Sequence, residues 1–449
     1  MPVGFFLALA PLFFLVQGLL GFSGAILVAA YFVFLLWYRF RQTNSWDEFF
    51  LYGVTFLLLF DSPTFTFTPF KLRLWYPLLA LAGLLILLER RKSNLTFPVV
   101  SSAVGGYVFF YYVTMSSLWL FWDDWDGKLS NLKYLFLAAG LMLFYRSLWF
   151  RLSMLQCQAF LRYLATLSIF VSLWGLLQVF FNTFTLFGPL FQRDSYNLRP
   201  SAFFSETTWY AEFCLFGILL VIYLINRRLV KPQWVLFLLP LLISLVVSNT
   251  RNAFVGLAVA IIGLIFLSLF RRRREPVPLW NRWSVGLLLA TTLGLVLASL
   301  VAWPEVVAQA QRIVQRFTGN DASGQSRLEA FARSWKELET GWFTGQGYTW
   351  HPDQGTAAGT VTGSKSFNLV FMITYIFGWS GLAVLAVGII AFIRSAVSNY
   401  LRYDWLAAKY ALVLFAAYFV MSMFTPIHQY PFGLMVFALA TVLHRRADA

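Results

Sequence analysis

Long apolar runs, cut by short polar breaks, fill this chain. Fourteen can be placed, at about 3–20, 22–38, 49–61, 72–88, 97–121, 134–150, 163–181, 208–226, 233–248, 253–270, 284–303, 366–393, 405–424 and 431–444. Crossing the hydrocarbon core of a bilayer takes roughly 20 mostly apolar residues as a helix. The pattern predicts an all-α polytopic membrane protein of about 14 transmembrane helices, organised as a single transmembrane domain over residues 1–449. One connection, 304–365, is much longer than the others and reads as a loop subdomain. Within it Val306, Val307, Ala310, Ile313, Val314 and Phe317 share one helical face, as do Leu328, Phe331, Trp335 and Leu338. Both stretches are predicted amphipathic helices. Gly341 to Lys365 has six glycines in 25 residues and reads as a mobile loop or lid.

Composition sharpens this. The chain is 59% hydrophobic and 12% charged, against about 25% charged in a soluble domain. So little charge cannot clothe so much apolar surface in water, and disorder requires the opposite balance. The net charge of +15 would point to nucleic acid in a soluble protein. Its distribution points to a membrane. With the break Gly18 to Gly24 placed outside, the inner connections 39–48, 89–96, 146–162, 227–232, 271–283 and 394–409 and the tail carry 21 Lys and Arg against six acids. The rest of the chain carries 13 of each sign. The positive-inside rule then puts both termini in the cytoplasm. Clusters such as Arg271–Arg274 are topology anchors, and nucleic acid is not a partner.

Cys157 and Cys214 fall at different membrane levels, so no disulfide is expected. No metal-ligand spacing appears, and the expectation is no metal and no cofactor. Asp123, Asp124 and Asp126 read either as a solvated turn or as a divalent-cation site.

The candidate chemistry lies in four outer connections. Arg251 stands in the tight turn Ser248-Asn-Thr-Arg251-Asn252. An arginine at a membrane boundary snorkels or meets an anion, and a planar guanidinium binds phosphate in a bidentate way. Arg199, before Pro200, and Arg327, at the start of the second loop helix, are the other diphosphate candidates, or else solvated arginines. Three outer arginines suit a diphosphate better than one. The acid–base candidates are Glu206, which abuts an apolar run where burial raises basicity, and the two outer histidines His351 and His428. A helix-start carboxylate and structural histidines are the alternative readings. Tyr348, Lys365 and Asn368 are the candidates for substrate contact. Charges gather at span ends, whereas a transporter places ionisable residues near the midplane.

These four places resemble the O-antigen polymerase and O-antigen ligase superfamily. Ser248-Asn-Thr-Arg251-Asn-Ala resembles its Ser-x-Ser-Arg-Gly-Ala segment, and Arg199-Pro-Ser-Ala-Phe-Phe-Ser-Glu206 its Arg-Pro-x-Gly-x-Phe-x-Glu/His segment. Ser326-Arg327, Trp335 and Thr344-Gly-Gln-Gly347 resemble the Ser-Arg … Trp … Pro-x-x-Gly-x-Gly run of its large outer loop. Asn368 and Phe377-Gly-Trp-Ser-Gly-Leu382 resemble the His-Asn … Gly-x-x-Gly-Leu segment that follows. The resemblance spans about 199–382, in order. It implies a bacterial inner-membrane glycosyltransferase with a periplasmic site, acting on undecaprenyl-diphosphate-linked glycan. It implies a glycan acceptor, membrane lipid contact and a chain-length regulator as partner. The implied reaction is polymerisation of lipid-linked repeat units, with ligation of finished glycan to lipid A-core or another acceptor as the alternative. One departure weighs toward the polymerase: where family ligases carry a histidine before the asparagine, this chain has Phe367.

The charge count yields a direct test. Cysteine labelling of intact cells should modify Gly355→Cys and spare Arg272→Cys; the reverse pattern overturns the orientation.

Overall fold

A computed structural model describes residues 45–59, 64–67, 70–73, 140–180, 207–269, 369–402, 405–423 and 431–443, with isolated residues between them that include Tyr111, Tyr112, Phe343 and Gly345. The runs at 3–20 and 284–303, all of 22–38 except Trp37, the two loop helices, Arg271–Arg274 and the acid cluster at 123–126 lie outside the described residues. In chain order the elements are α1 (Trp46–Leu59), β1 (Thr64–Phe67), β2 (Phe70–Arg73), α2 (140–151), α3 (Met154–Phe180), α4 (Thr207–Asn226), a 3-10 turn (Pro232–Phe237), α5 (Leu238–Ser248), α6 (Arg251–Leu269), α7 (Leu369–Arg402), α8 (Trp405–Met421) and α9 (Pro431–Leu443). Four stretches are long and apolar enough to cross a membrane: Met154–Leu176, Thr207–Asn226, Arg251–Leu269 and Ile373–Leu401. This is a helical membrane protein.

Three details differ from the sequence pattern. Thr64–Phe67 pairs antiparallel with Phe70–Arg73, Thr64 opposite Arg73 and Phe67 opposite Phe70, so a short hairpin stands in the connection expected after the third run. Its alternating Thr and Phe favour extended backbone. The connections 146–162 and 394–409 are helical through most of their length. Their basic residues ride on helices that outrun the apolar core rather than on loops. α7 continues to Arg402, nine residues beyond the expected end of its apolar run at 393.

The residues form two compact units. In the first, side-chain caps of the capping-box type set the starts of α1 and α3. Ser45 Oγ accepts the Glu48 N–H at 3.3 Å and opens α1. At α3 the box is reciprocal: Gln156 Oε1 accepts the Ser153 N–H at 2.7 Å, and Ser153 Oγ accepts the Gln156 N–H at 3.3 Å. That box lets the chain turn between α2 and α3 in two residues. α4 ends in a Schellman motif: Arg228 has φ 56°, Leu229 N–H bonds the Leu224 carbonyl and Arg228 N–H that of Ile225. α5 has only 11 residues, with Pro240 in its first turn, and is preceded by six residues of 3-10 turn. At about 1.5 and 2 Å per residue respectively, the two reach roughly 28 Å.

α3, α4 and α5 pack through small and hydroxyl residues, as helices do in lipid. Tyr210 and Ser244 hydroxyls each donate to the Ser172 carbonyl at 3.1 Å. A Cβ at Gly175 would overlap the Tyr210 hydroxyl, and one at Gly217 would lie 2.9 Å from Leu241 Cδ2. α1 joins through Tyr52, whose ring lies 4.6 Å from that of Tyr163, and through an Arg151–Asp47 ion pair of 3.1 Å.

In the second unit α8 packs between α7 and α9, with Tyr418, Ala411, Ala417, Met435 and Val436 buried. The Tyr400 hydroxyl donates to the Leu267 carbonyl, and the Lys409 ammonium to Ser268 Oγ, both at the C-terminal end of α6. A cation there suits the negative end of the helix dipole. Ile261, Ile262, Ile265, Phe266 and Leu269 are exposed on one face of α6, the face a bilayer covers.

Overpacking a tight junction costs about 1–3 kcal/mol. Gly175→Ala and Gly217→Ala should each lower the thermal unfolding midpoint of the detergent-solubilised protein. Gly83→Ala, with nothing within 4 Å of the added carbon, should leave it unchanged or raise it.

Candidate functional site

The turn between α5 and α6 holds the charge singled out in the sequence. Asn249 closes α5 in the left-handed region, φ 48° and ψ 46°, which asparagine tolerates better than most residues. Its N–H bonds the Val246 carbonyl at 3.0 Å. Ser248 Oγ donates to the Leu245 carbonyl at 2.6 Å, and Thr250 Oγ1 to the Ser248 carbonyl at 3.3 Å. The last carbonyls of α5 are thus served within the turn. The Thr250 carbonyl then accepts the Ala253 and Phe254 N–H groups at 3.1 and 3.3 Å and starts α6. Ser248, Asn249, Thr250 and Asn252 are buried, and Arg251, the first residue of α6, is half-buried. A guanidinium at a helix N-terminus adds its charge to the positive end of the helix dipole, and both attract an anion.

Of the other candidates, Arg199, Glu206, Arg327, Tyr348, His351, Lys365, Asn368 and His428 lie outside the described residues. Their described chain neighbours are fixed. Pro200, after Arg199, is buried, and so is Thr207, after Glu206. Phe204 packs against Phe213 of α4, ring centroids 5.6 Å apart. Leu369, after Asn368, donates its N–H to the Ser422 carbonyl at 2.8 Å, and Ser422 precedes the 424–430 connection that carries His428.

The sequence reading missed Glu212, a carboxylate 1% exposed in the second turn of α4. Its signal was an acid inside an apolar run. Among the described residues the buried charged groups are Glu48, Glu212 and Lys409, each within two turns of a helix start.

It also missed that two of the glycine motifs meet. α7 is broken at Gly378, φ 68° and ψ −168°, a backbone region essentially confined to glycine. Phe343 and Gly345 lie against the break. Gly345 has φ 82°, and a Cβ there would lie 2.6 Å from Gly378 N. A Cβ at Gly378 would lie 2.6 Å from Gly345 N and overlap the Phe343 carbonyl. The Phe343 carbonyl accepts the Ser380 N–H at 3.3 Å, and the Ser380 hydroxyl lies 3.0 Å from it. From a third segment, the Tyr111 hydroxyl shares a 2.5 Å hydrogen bond with Ser380 Oγ. Tyr112 donates to the Gly381 carbonyl at 2.7 Å, its ring edge-on to Phe377 at 4.9 Å.

Among the described residues no group of three His, Cys, Asp or Glu is placed to hold a metal ion.

Residues 235–386 match the family model described as O-Antigen ligase. The match takes in the Ser248–Asn252 turn and both glycine motifs, about a third of the chain. It bears out the resemblance to the O-antigen polymerase and ligase superfamily over that stretch. No curated protein matches the chain.

The backbone of Asn249 sets where Arg251 starts its helix. A β-branched residue in the left-handed region costs about 1–2 kcal/mol, so Asn249→Val should unfold at lower temperature than Asn249→Gly.

Proposed function

We propose that this protein is a periplasm-facing glycosyltransferase of the bacterial inner membrane that polymerises undecaprenyl-diphosphate-linked repeat units into a surface polysaccharide. The observation that carries the reading is Arg251: a half-buried guanidinium at the first turn of α6, in a turn of buried polar side chains, inside the stretch matching the O-Antigen ligase family. In this reading about fourteen spans form one membrane domain, both termini are cytoplasmic, and 304–365 roofs the site from the periplasm.

The chemistry follows from the groups. The acceptor hydroxyl oxygen attacks the anomeric carbon of the donor sugar, and the bond from that carbon to the diphosphate oxygen breaks. The electron pair leaves with the polyprenyl diphosphate. Arg251, with Arg199 and Arg327, stabilises the charge that grows on that leaving group. The acceptor proton passes to a base late in the displacement. Glu206 is the first choice, next to the buried start of α4, then His351 and His428. Tyr348, Lys365 and Asn368 contact the glycan. A chain-length regulator is the partner of such a polymerase.

Phe367 favours polymerisation, because the imidazole found at that place in family ligases is missing. Ligation is the second reading, favoured by the description of the matched family.

One strain series separates these. In the deletion strain, single repeats left on the acceptor indicate a polymerase, and full-length polymer accumulating on the carrier lipid indicates a ligase. Complementation with Arg251→Ala should restore no product at normal protein level, and Arg251→Lys little, because an ammonium lacks the bidentate fork. Near-normal product from Arg251→Ala removes Arg251 from the site.

A further inference from the structure

The chain leaves α4 through a turn with more backbone strain than a helix end requires. α4 is long and apolar enough to cross a membrane, and Arg227, Arg228 and Lys231 follow it directly. Arg228 fills the left-handed position of the Schellman motif, at φ 56°. Glycine is the usual residue there, because it has no Cβ to strain. An arginine in its place accepts the strain and puts a cation at the span end, and strain of this kind gathers where a side chain has work to do. Among the described residues the other non-glycine at positive φ is Asn249, a residue type that tolerates it.

The backbones of both exposed cations, Arg228 and Lys231, are fixed. The Leu229 N–H bonds the Leu224 carbonyl and the Arg228 N–H that of Ile225, each at 2.9 Å, which sets Arg228. Lys231 is extended, φ −65° and ψ 146°, the conformation favoured before proline, and its carbonyl accepts the Trp234 N–H at 3.0 Å. Arg227 is oriented by its own helix. Its Nε donates to the Tyr223 hydroxyl at 3.3 Å, and its guanidinium carbon lies 5.9 Å from the centroid of that ring. No acid occurs in the chain between Glu212 and Glu275. Among the described residues neither Arg228 nor Lys231 forms an ion pair.

An apolar strip starts from the same turn. Leu236, Phe237, Ile243 and Val246 are exposed along the 3-10 turn and α5. Trp234, of a type that gathers at membrane interfaces, stands edge-on to Phe237 at 5.5 Å. Fixed cations at the end of a span, with an apolar strip leading away from them, suit one molecule with a negative head and an acyl chain. Arg228 offers phosphate a planar fork, and Lys231 adds a point charge. A zwitterionic phospholipid brings its own ammonium, which these cations repel. A free anion gains nothing from the strip.

We propose that Arg228 and Lys231, beside Arg227, form a binding site for the headgroup of an anionic phospholipid such as phosphatidylglycerol, its acyl chain lying along the strip from Leu236 to Val246. No group assigned to the transfer chemistry takes part, so the site stands or falls apart from that reading.

The full chain is reconstituted in nanodiscs of phosphatidylcholine, alone or mixed with phosphatidylglycerol, and the thermal unfolding midpoint is measured. Phospholipid retained after transfer to detergent is counted by native mass spectrometry. Phosphatidylglycerol should raise the midpoint of the native protein and stay bound. Arg228→Gly is the informative variant, because glycine suits the left-handed position and the turn still forms. It should lose most of the rise that phosphatidylglycerol gives. The rise is read within each variant, so a change in baseline stability does not disguise it. Arg228→Gly combined with Lys231→Gln should bind phosphatidylglycerol about 10-fold to 30-fold more weakly, the scale of two cations at a membrane surface. Arg394→Gln, which removes an exposed cation of α7, should bind as the native protein does. A full rise in the double variant overturns the site. An equal loss in Arg394→Gln shows attraction by net charge and overturns it too. A rise of the same size from inorganic phosphate makes this a free-anion site and overturns the lipid as its occupant.

Discussion

Inside a bilayer no water takes up a backbone N–H or C=O group, and each one left unsatisfied costs several kcal/mol. At several helix ends and one helix break in this protein, that demand is met for a backbone group by a side chain or a tight turn rather than by the helix itself. Ser153 and Gln156 meet it at a two-residue turn, and Arg228 meets it with a left-handed residue. Ser248, Asn249 and Thr250 meet it between α5 and α6, and Ser380 meets it inside α7. Polar side chains serve the backbone at these places, and Arg251 stands next to one of them. Arg251 is held at its height because the three residues before it satisfy the end of α5.

The two built places differ in kind. The α5–α6 turn is compact, local in sequence and charged. The junction at Gly378 is assembled from three distant segments and is neutral throughout. A charged turn attracts an anion over a distance, whereas a neutral junction of glycines and hydroxyls fixes geometry and nothing more.

The helices were legible because hydropathy and length are strong signals. α4, α6 and α9 match the apolar runs to within two residues at either end, and α8 to within three. Loop boundaries at 146–162 and 394–409 were misread because basic residues were counted as loop, while long Arg and Lys stems let a helix carry them beyond the core. Arg251 was legible because an arginine between two apolar runs is costly enough to need a reason. Glu212 was passed over because the acids near recognised motifs drew attention first. The meeting of Gly345 with Gly378 was beyond reach, since each glycine alone fits any turn and only spatial proximity shows that each occupies the other's absent side chain. Tyr111 and Tyr112, two aromatics in an apolar run, carried no mark of a hydrogen-bonding duty 269 residues away.

Ser172 inverts the usual relation between residue identity and importance. Two hydroxyls from neighbouring helices converge on its carbonyl, while its own buried Oγ has no hydrogen-bond partner. A carbonyl is common to all twenty amino acids, so the centre of the three-helix junction is written in no particular letter. The information sits on the rim, in Tyr210 and Ser244 that donate and in Gly175 that makes room. Such a centre is free to drift through small residues across long evolutionary time while its rim stays fixed, and a comparison of sequences would rank the middle of the junction as its least informative position.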